Sequence, residues 1–332
     1  MSPAIHSGGL RNKFSIMPKN KSSKIVVIGG GTGVFTVLSG LRKYPVNLSA
    51  IVSVADDGGS TGVLREEFGI LPPGDVRRTM VALARSDDRL LSDLFSYRFS
   101  EGGLRGHTFG NIMLTALERI TGSFEDAVYE AGRILGVSGQ VLPVTFANVR
   151  LCAKLENGTV IKGEKNIDIP QHDGNLKIKK IFLEPKASIN PRAAKAIHEA
   201  DLVVIGPGDL YTSLVPNLVV SGLVSALKKT KAKKVYVANI MTKWGETNGF
   251  NAVDFIDAVE RYVGKNVLDY AIINTKRPSA DRIRLYEKES AKFVEQGNIP
   301  HKPTAVLGDF VRARGFVRHD PDRLAKVLVS LL

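Results

Sequence analysis

The stretch that most limits what this chain can fold into is residues 24–36, KIVVIGGGTGVFT. Residues 24–28 form a short apolar, β-branched run, as expected of a strand buried on both faces. Gly29-Gly30-Gly31-Thr32-Gly33 follows, and residues 34–43 then carry apolar side chains at helical spacing. A strand, a glycine turn and a helix together make a phosphate-holding unit. Glycines let the backbone approach an anion, and the free N–H groups at the helix start face it. Neither the dinucleotide fingerprint nor the Walker pattern is complete, because Val34 and Thr36 stand where G-x-G-x-x-G needs glycine, and no Gly-Lys-Ser/Thr follows. The remaining alternative is a tight turn without a ligand.

A second strand is expected over residues 48–54, ending in Asp56-Asp57-Gly58-Gly59-Ser60-Thr61-Gly62. An acid here, about twenty residues beyond the glycine turn, accepts hydrogen bonds from a ribose in dinucleotide-binding domains. Asp56 and Asp57 together could instead hold Mg²⁺ beside a phosphate. The glycines and hydroxyls after them could make a second anion nest; the alternative is a plain loop rich in Asp and Gly. Helical patterns cover 76–84, 90–98, 107–120 and 124–135, which suggests a helical insertion over about 76–136. A β-hairpin excursion, turning at Asn157-Gly158, covers about 148–184.

Strand–helix alternation then resumes. Residues 202–205 run into Gly206-Pro207-Gly208-Asp209-Leu210-Tyr211-Thr212-Ser213, with a helix expected through 227. Parallel strands end at one sheet edge, so this second glycine turn should lie beside the first and form a crevice with it. Strands are also expected at 235–238, 268–273 and 304–307. The fold class is thus α/β, a Rossmann-like three-layer arrangement with a mostly parallel sheet. Residues 1–23 read as a disordered basic tail, and residues 24–332 as one domain.

Composition narrows the function. The net charge of +13 raises the question of polyanions, but the basic residues are scattered and aromatics make up 7%. A nucleic-acid surface would gather them into a patch, so nucleic acid is disfavoured as a partner. Cys152 is the only cysteine, which rules out an internal disulfide and fits a reducing, cytoplasmic setting. No run approaches the roughly 20 apolar residues of a membrane span.

Seven ordered motifs, GGGTG (29–33), ADDGGSTG (55–62), PPGDVR (72–77), RGHTFGN (105–111), GPGDLYTSLVPNL (206–218), NIMTKWGET (239–247) and RHDP (318–321), resemble the YvcK/CofD-like family, on its YvcK or gluconeogenesis-factor branch. The resemblance implies a Rossmann-like, cytoplasmic protein that binds a nucleotide-containing ligand. For this branch the expected ligand is a UDP-sugar, above all UDP-N-acetylglucosamine, with links to carbon partitioning, gluconeogenic growth, cell shape and wall synthesis. The CofD branch instead implies a Mg²⁺-dependent transferase that moves a phospholactyl-type group from a guanosine diphosphate carrier to a deazaflavin hydroxyl. Those enzymes carry a histidine after the acidic pair, where this chain has glycines and hydroxyls.

The expected ligand contacts follow. Gly30, Gly31, Thr32 and Gly33 cradle a diphosphate. Gly206 and Gly208 form the opposing wall, and Thr212 and Ser213 offer hydroxyls. Gly74, Asp75, Tyr211 and Asn217 complete the motif contacts. Asp56 meets a ribose or, with Asp57, a metal. Asn111 and Arg318 are polar contacts, and His107 is as well explained by structure as by chemistry. In a transferase, Asp56 and Asp57 hold the catalytic metal and Arg77 or Arg105 neutralises developing charge. GDP and NAD are the alternative nucleotides, although the broken fingerprint argues against a nicotinamide dehydrogenase. A protein partner of unknown identity and a homodimer are further expectations. Asp209 stands where the branch pattern has serine, and a carboxylate there repels a phosphate unless it turns away or meets a cation.

Overall fold

Burial of the apolar runs sets the architecture. The computed structural model describes residues 22–85 and 89–332, so all but two residues of the expected basic tail lie outside the described residues. Ten strands form among the described residues: β1 Lys24–Gly29, β2 Asn47–Val52, β3 Gln140–Pro143, β4 Arg150–Leu155, β5 Val160–Lys162, β6 Ile178–Glu184, β7 Leu202–Ile205, β8 Lys233–Val237, β9 Tyr270–Asn274 and β10 Thr304–Gly308. Seven of them make one sheet in the order β10-β9-β8-β7-β1-β2-β3, parallel throughout. β1 is central, with Ile28 opposite Ile51 on one side and Ile205 on the other. Ile25, Val26, Val27 and Ile28 are buried, as the β-branched run requires of a strand covered on both faces.

This is the doubly wound order. The chain moves outward from β1 to β3, then returns to β7 on the opposite side of β1. The crossovers therefore part between β1 and β7, and in open α/β sheets the ligand crevice lies at such a reversal. Both glycine turns leave these two strands at the same edge.

Two insertions supply the walls. Helices Gly59–Phe68, Gly74–Leu83, Arg89–Ser96, Phe109–Thr121 and Phe124–Ile134 lie between β2 and β3. The first of these replaces the loop read from Gly58-Gly59-Ser60-Thr61-Gly62. Its extended N-cap, Gly58, is held by Asp56 Oδ1 at 2.9 Å, so the glycines start a helix rather than break one. β4, β5 and β6 form a separate antiparallel sheet in the order β5-β4-β6, with the β4–β5 turn at Asn157-Gly158. A short helix, Glu164–Asp168, leaves β5 and reaches back over the crevice.

The helix expected from the second glycine turn through 227 is broken. A wide turn, Leu210–Leu214, leads into Val215–Leu218, and a separate helix covers Leu223–Lys229. Pro216 has no N–H to give the helical ladder. Gly222, at φ +98°, redirects the chain where a Cβ would press on Ile189. No helix among the described residues is long and apolar enough to cross a membrane.

Candidate functional site

The first turn opens directly into a helix. Gly30 is its N-cap, and the helix runs Gly31–Leu41. Gly31 sits at φ +59°, in the left-handed region, and a Cβ there would point between Arg78 Nη1 and Ser213 Oγ, each 3.8 Å away. A side chain on Gly33 would overlap the Pro207 carbonyl, so the second turn lies hard against this helix start. The Gly31 N–H is already engaged, donating to Asp75 Oδ1 at 2.9 Å. The next amides, of Thr32 and Gly33, belong to the first helical turn and need an acceptor from outside the helix.

The second turn is braced from behind. Glu246, almost fully buried, accepts the Tyr211 N–H at 2.9 Å and the Thr212 hydroxyl at 3.0 Å. Asn217 is fully buried and donates to the Gly29 and Ser213 carbonyls, at 3.2 and 2.9 Å, so it ties the two turns together. Lys243 Nζ lies 3.0 Å from Asp209 and 3.1 Å from Glu246, and also meets Asp168. These three carboxylates approach within 4.8 Å of one another, a spacing that could suit a cation, and the ammonium occupies that place. Burial works against the charge on Lys243, but Glu246, Asp209 and Asp168 outweigh it and raise the pKa. Asp209 thus meets a cation, which answers the objection that its charge raises in sequence.

The acidic pair diverges. Asp56 accepts the Gly58 N–H, and burial lifts its pKa. Asp57 points the other way and accepts the N–H groups of Glu164 and Lys165, at 3.2 and 2.8 Å, which caps the short helix after β5. The expected metal pair is therefore not presented together to the cleft, because Asp57 is used as a cap and only Asp56 lines the chamber. Asp56 feels the charge of Asp57 and acts in turn on Asp75, which lines the cleft with it. Burial, then the charge of Asp56, pushes Asp75 up to about 6. Glu164 is pushed up to about 9 by burial and by Asp56 and Asp168.

Arg77 is buried and structural in its contacts. Its Nε donates to Asn111 Oδ1 at 3.0 Å and Nη1 to the Phe95 carbonyl at 3.3 Å. Burial, with Arg78 and Arg98 nearby, lowers it to about 10. Asn111 Nδ2 donates in turn to Ser60 Oγ at 3.3 Å, and His107 Nδ1 lies 3.2 Å from the same hydroxyl.

Two joined chambers result. The smaller, about 440 Å³, is lined by Gly30, Gly31, Thr32, Gly33, Asp56, Gly74, Asp75, Arg77, Asn111, Gly208, Thr212 and Ser213 from the expected set. Arg78, Arg98, Glu164, Lys165 and Asp168 join them. The larger, about 700 Å³, holds Arg318 and is walled by Ile240, Met241, Trp244, Tyr286 and Val317. Thr32, Gly33, Asp168, Ile169, Gly208 and Asp209 line both. Asp57, Arg105, His107, Gly206, Tyr211 and Asn217 line neither. Arg105 is exposed, and Gly206, Tyr211 and Asn217 stand behind the turn they support.

Sequence reasoning left out Arg78, Glu164, Lys165, Asp168 and Lys243 as site residues. Arg78 was within reach, as the residue after Arg77 in a motif already singled out. Lys243 lies within the NIMTKWGET motif, where no chemical role had been given to it, and Glu164, Lys165 and Asp168 come from the hairpin excursion, where no local pattern marks them.

The family model described as 2-phospho-L-lactate transferase CofD matches residues 25–306. A protein of Listeria innocua named gluconeogenesis factor is 41% identical over 95% of this chain and 98% of its own length. A protein of the same name from Halalkalibacterium halodurans is 39% identical over 93% of this chain and 97% of its own. A crystal structure described as a UPF0052 family member from Bacillus halodurans superposes with a TM-score of 0.88 at 39% identity, covering 93% of this chain and 99% of that one.

Proposed function

The chain belongs to the CofD family, among relatives named gluconeogenesis factor, and from that premise we propose that it is a cytoplasmic regulatory protein that holds a nucleotide sugar of the UDP-N-acetylglucosamine type. Its output in this reading is control of carbon partitioning, cell shape and wall synthesis through a protein partner. The observation that carries the reading is the pair of joined chambers divided by the two glycine turns. A nucleotide sugar has a matching form: a planar base at one end, a hexose at the other and a diphosphate between them. The amides of Thr32 and Gly33, with Arg78 and Lys165, supply the positive side of the smaller chamber. The apolar walls of the larger one suit a ring.

The diphosphate enters a strongly acidic neighbourhood, and Asp75 provides the adjustment. Its pKa of about 6 lets it take up a proton as a second anion arrives, which turns a repelling oxygen into a donor.

The CofD match keeps the transferase as a second reading, with Asp56 and Asp75 rather than Asp56 and Asp57 as the carboxylates facing the cleft. One experiment separates the two. Thermal melts with UDP-N-acetylglucosamine, GDP and NAD, with and without Mg²⁺, should show a clear rise for the UDP-sugar, because a ligand that binds only the folded state stabilises it. No shift at millimolar UDP-sugar, with a clear one for GDP plus Mg²⁺ and turnover of a GDP ester, would replace this reading by the transferase.

A further inference from the structure

The larger chamber contains buried polar atoms that none of the described residues satisfies. His319 is 6% exposed and lines it, and its Nε2 has no hydrogen-bond partner. Asn239 lines the same chamber, and its Oδ1 also lacks a partner. A buried polar atom without a partner costs free energy, and in a cavity wall it is the expected mark of a group that waits for a ligand.

The chemistry of the two groups limits what they can receive. The ring of His319 is tied by a backbone hydrogen bond to Ala238. With Nε2 the unpartnered nitrogen, Nδ1–H is the donor in that bond and Nε2 carries a bare lone pair. Burial lowers the pKa to about 4, so the ring stays neutral at physiological pH. An acceptor needs a donor opposite it. Phosphate oxygens are acceptors, so this corner does not face the diphosphate, which belongs at the glycine turns across the shared wall. Met241, Trp244, Tyr286 and Val317 give the surrounding walls an apolar, partly aromatic character suited to a flat ring.

We infer that His319 and Asn239 form a base-reading subsite in which His319 Nε2 accepts the ring N3–H of a uracil and the Asn239 amide bonds the carbonyl beside it. Asn239 can meet that carbonyl by turning its NH₂ inward about χ2. Cytosine presents a lone pair at the same ring position, which would face the lone pair of Nε2, so the subsite selects uridine over cytidine nucleotides. The assignment rests on the nucleotide reading above and adds which base is taken and by which atoms.

Isothermal titration with UDP, CDP and 3-methyl-UDP tests it on the unmodified protein, with no variant required to fold. The methyl group replaces the one donor that Nε2 can use. UDP should bind about ten- to a hundredfold more tightly than either analogue, the loss expected when a buried acceptor is left unpaired. In His319→Ala the gap between UDP and 3-methyl-UDP should close, since the variant loses the acceptor and gains room for the methyl group. Equal affinity of the parent for UDP and 3-methyl-UDP overturns the assignment and leaves the nucleotide reading standing. A methyl penalty that persists unchanged in His319→Ala also overturns it. A parent that binds neither UDP nor UDP-N-acetylglucosamine overturns both.

Discussion

The two glycine turns leave adjacent strands at one sheet edge and look alike in sequence, yet they are built for different tasks. The first, after β1, is open toward the cleft: a Cβ on Gly31 would meet only Arg78 Nη1 and Ser213 Oγ, at ordinary contact distance, and the amides of Thr32 and Gly33 have no partner within the helix. The second, after β7, is held from behind by side chains of other segments. Glu246 takes Tyr211 and Thr212, Asn217 reaches across to Gly29, and Lys243 gathers Asp168, Asp209 and Glu246. In the proposed reading the first turn meets the anion, and the second is the wall packed against it through the contact of Pro207 with Gly33. Glycine content alone does not distinguish them. What distinguishes them is how many charged groups are committed to the turn: Asp75 on the first, against Glu246 and Lys243 with its carboxylate partners on the second.

The largest effect should come from removing the brace. Lys243→Met leaves three carboxylates, Asp168, Asp209 and Glu246, without their shared counter-charge, and losing one partner of a buried charge group costs about 3–5 kcal/mol. The urea midpoint should fall accordingly, and adding Glu246→Gln should recover part of the loss. If Lys243→Met keeps the parent's midpoint and loses only ligand, the second turn is itself the binding surface and the contrast between the turns disappears.

A smaller effect belongs to the first turn. Asp75 has its pKa raised from the ordinary carboxylate value of 3.8 to about 6. The folded state therefore binds more protons than the unfolded one between those values, and stability from this group is lost as pH rises through that window. Asp75→Asn keeps an acceptor for the Gly31 N–H and should flatten the fall, which amounts to about 3 kcal/mol or less. Chemical unfolding of parent and variant at pH 4 and pH 7 measures this. An unchanged slope would mean that Asp75 is not held against the charge of Asp56.

The smallest effect should come from Asp57. As a cap for Glu164–Asp168, Asp57→Asn should cost about 1 kcal/mol or less, and the cost should be the same with and without Mg²⁺. A loss that appears only with Mg²⁺ would restore the metal pair that the geometry separates.

The fold was legible in sequence wherever burial dictates pattern. β7, Leu202–Ile205, is a pure apolar run and forms over the expected residues, and the Asn157-Gly158 hairpin signal forms the expected turn. The helix Gly59–Phe68 was not legible, because glycines and hydroxyls at its start are also the composition of a loop; only the Asp56 contact to Gly58 decides between them. The break within 210–229 falls at Pro216 and at Gly222, whose φ of +98° and lack of room for a Cβ beside Ile189 show only in the folded chain.

At the site, the residues of the two turns were readable because each turn is continuous in sequence. The brace was not, since Asp168, Asp209 and Lys243 come from three separate segments and meet only once the sheet has formed. Asp57 misled for the same reason: the helix that it caps lies more than a hundred residues along the chain.

The central claim is that the diphosphate sits on the first turn, and Gly31 is where it can be tested most directly. A valine there is strained at φ +59° and places methyl groups between Arg78 and Ser213. The apolar faces of β1 and of the helix Gly31–Leu41 stay buried, so the variant should remain soluble with the parent's far-ultraviolet circular dichroism. Each charge-assisted hydrogen bond lost is worth about 1.5–3 kcal/mol, so losing one or two lowers affinity roughly ten- to several-thousandfold. Isothermal titration of UDP-N-acetylglucosamine into the parent and into Gly31→Val should show binding in the first and its near loss in the second. Equal affinity in the two would contradict the account and move the anion to the turn formed by residues 206–213.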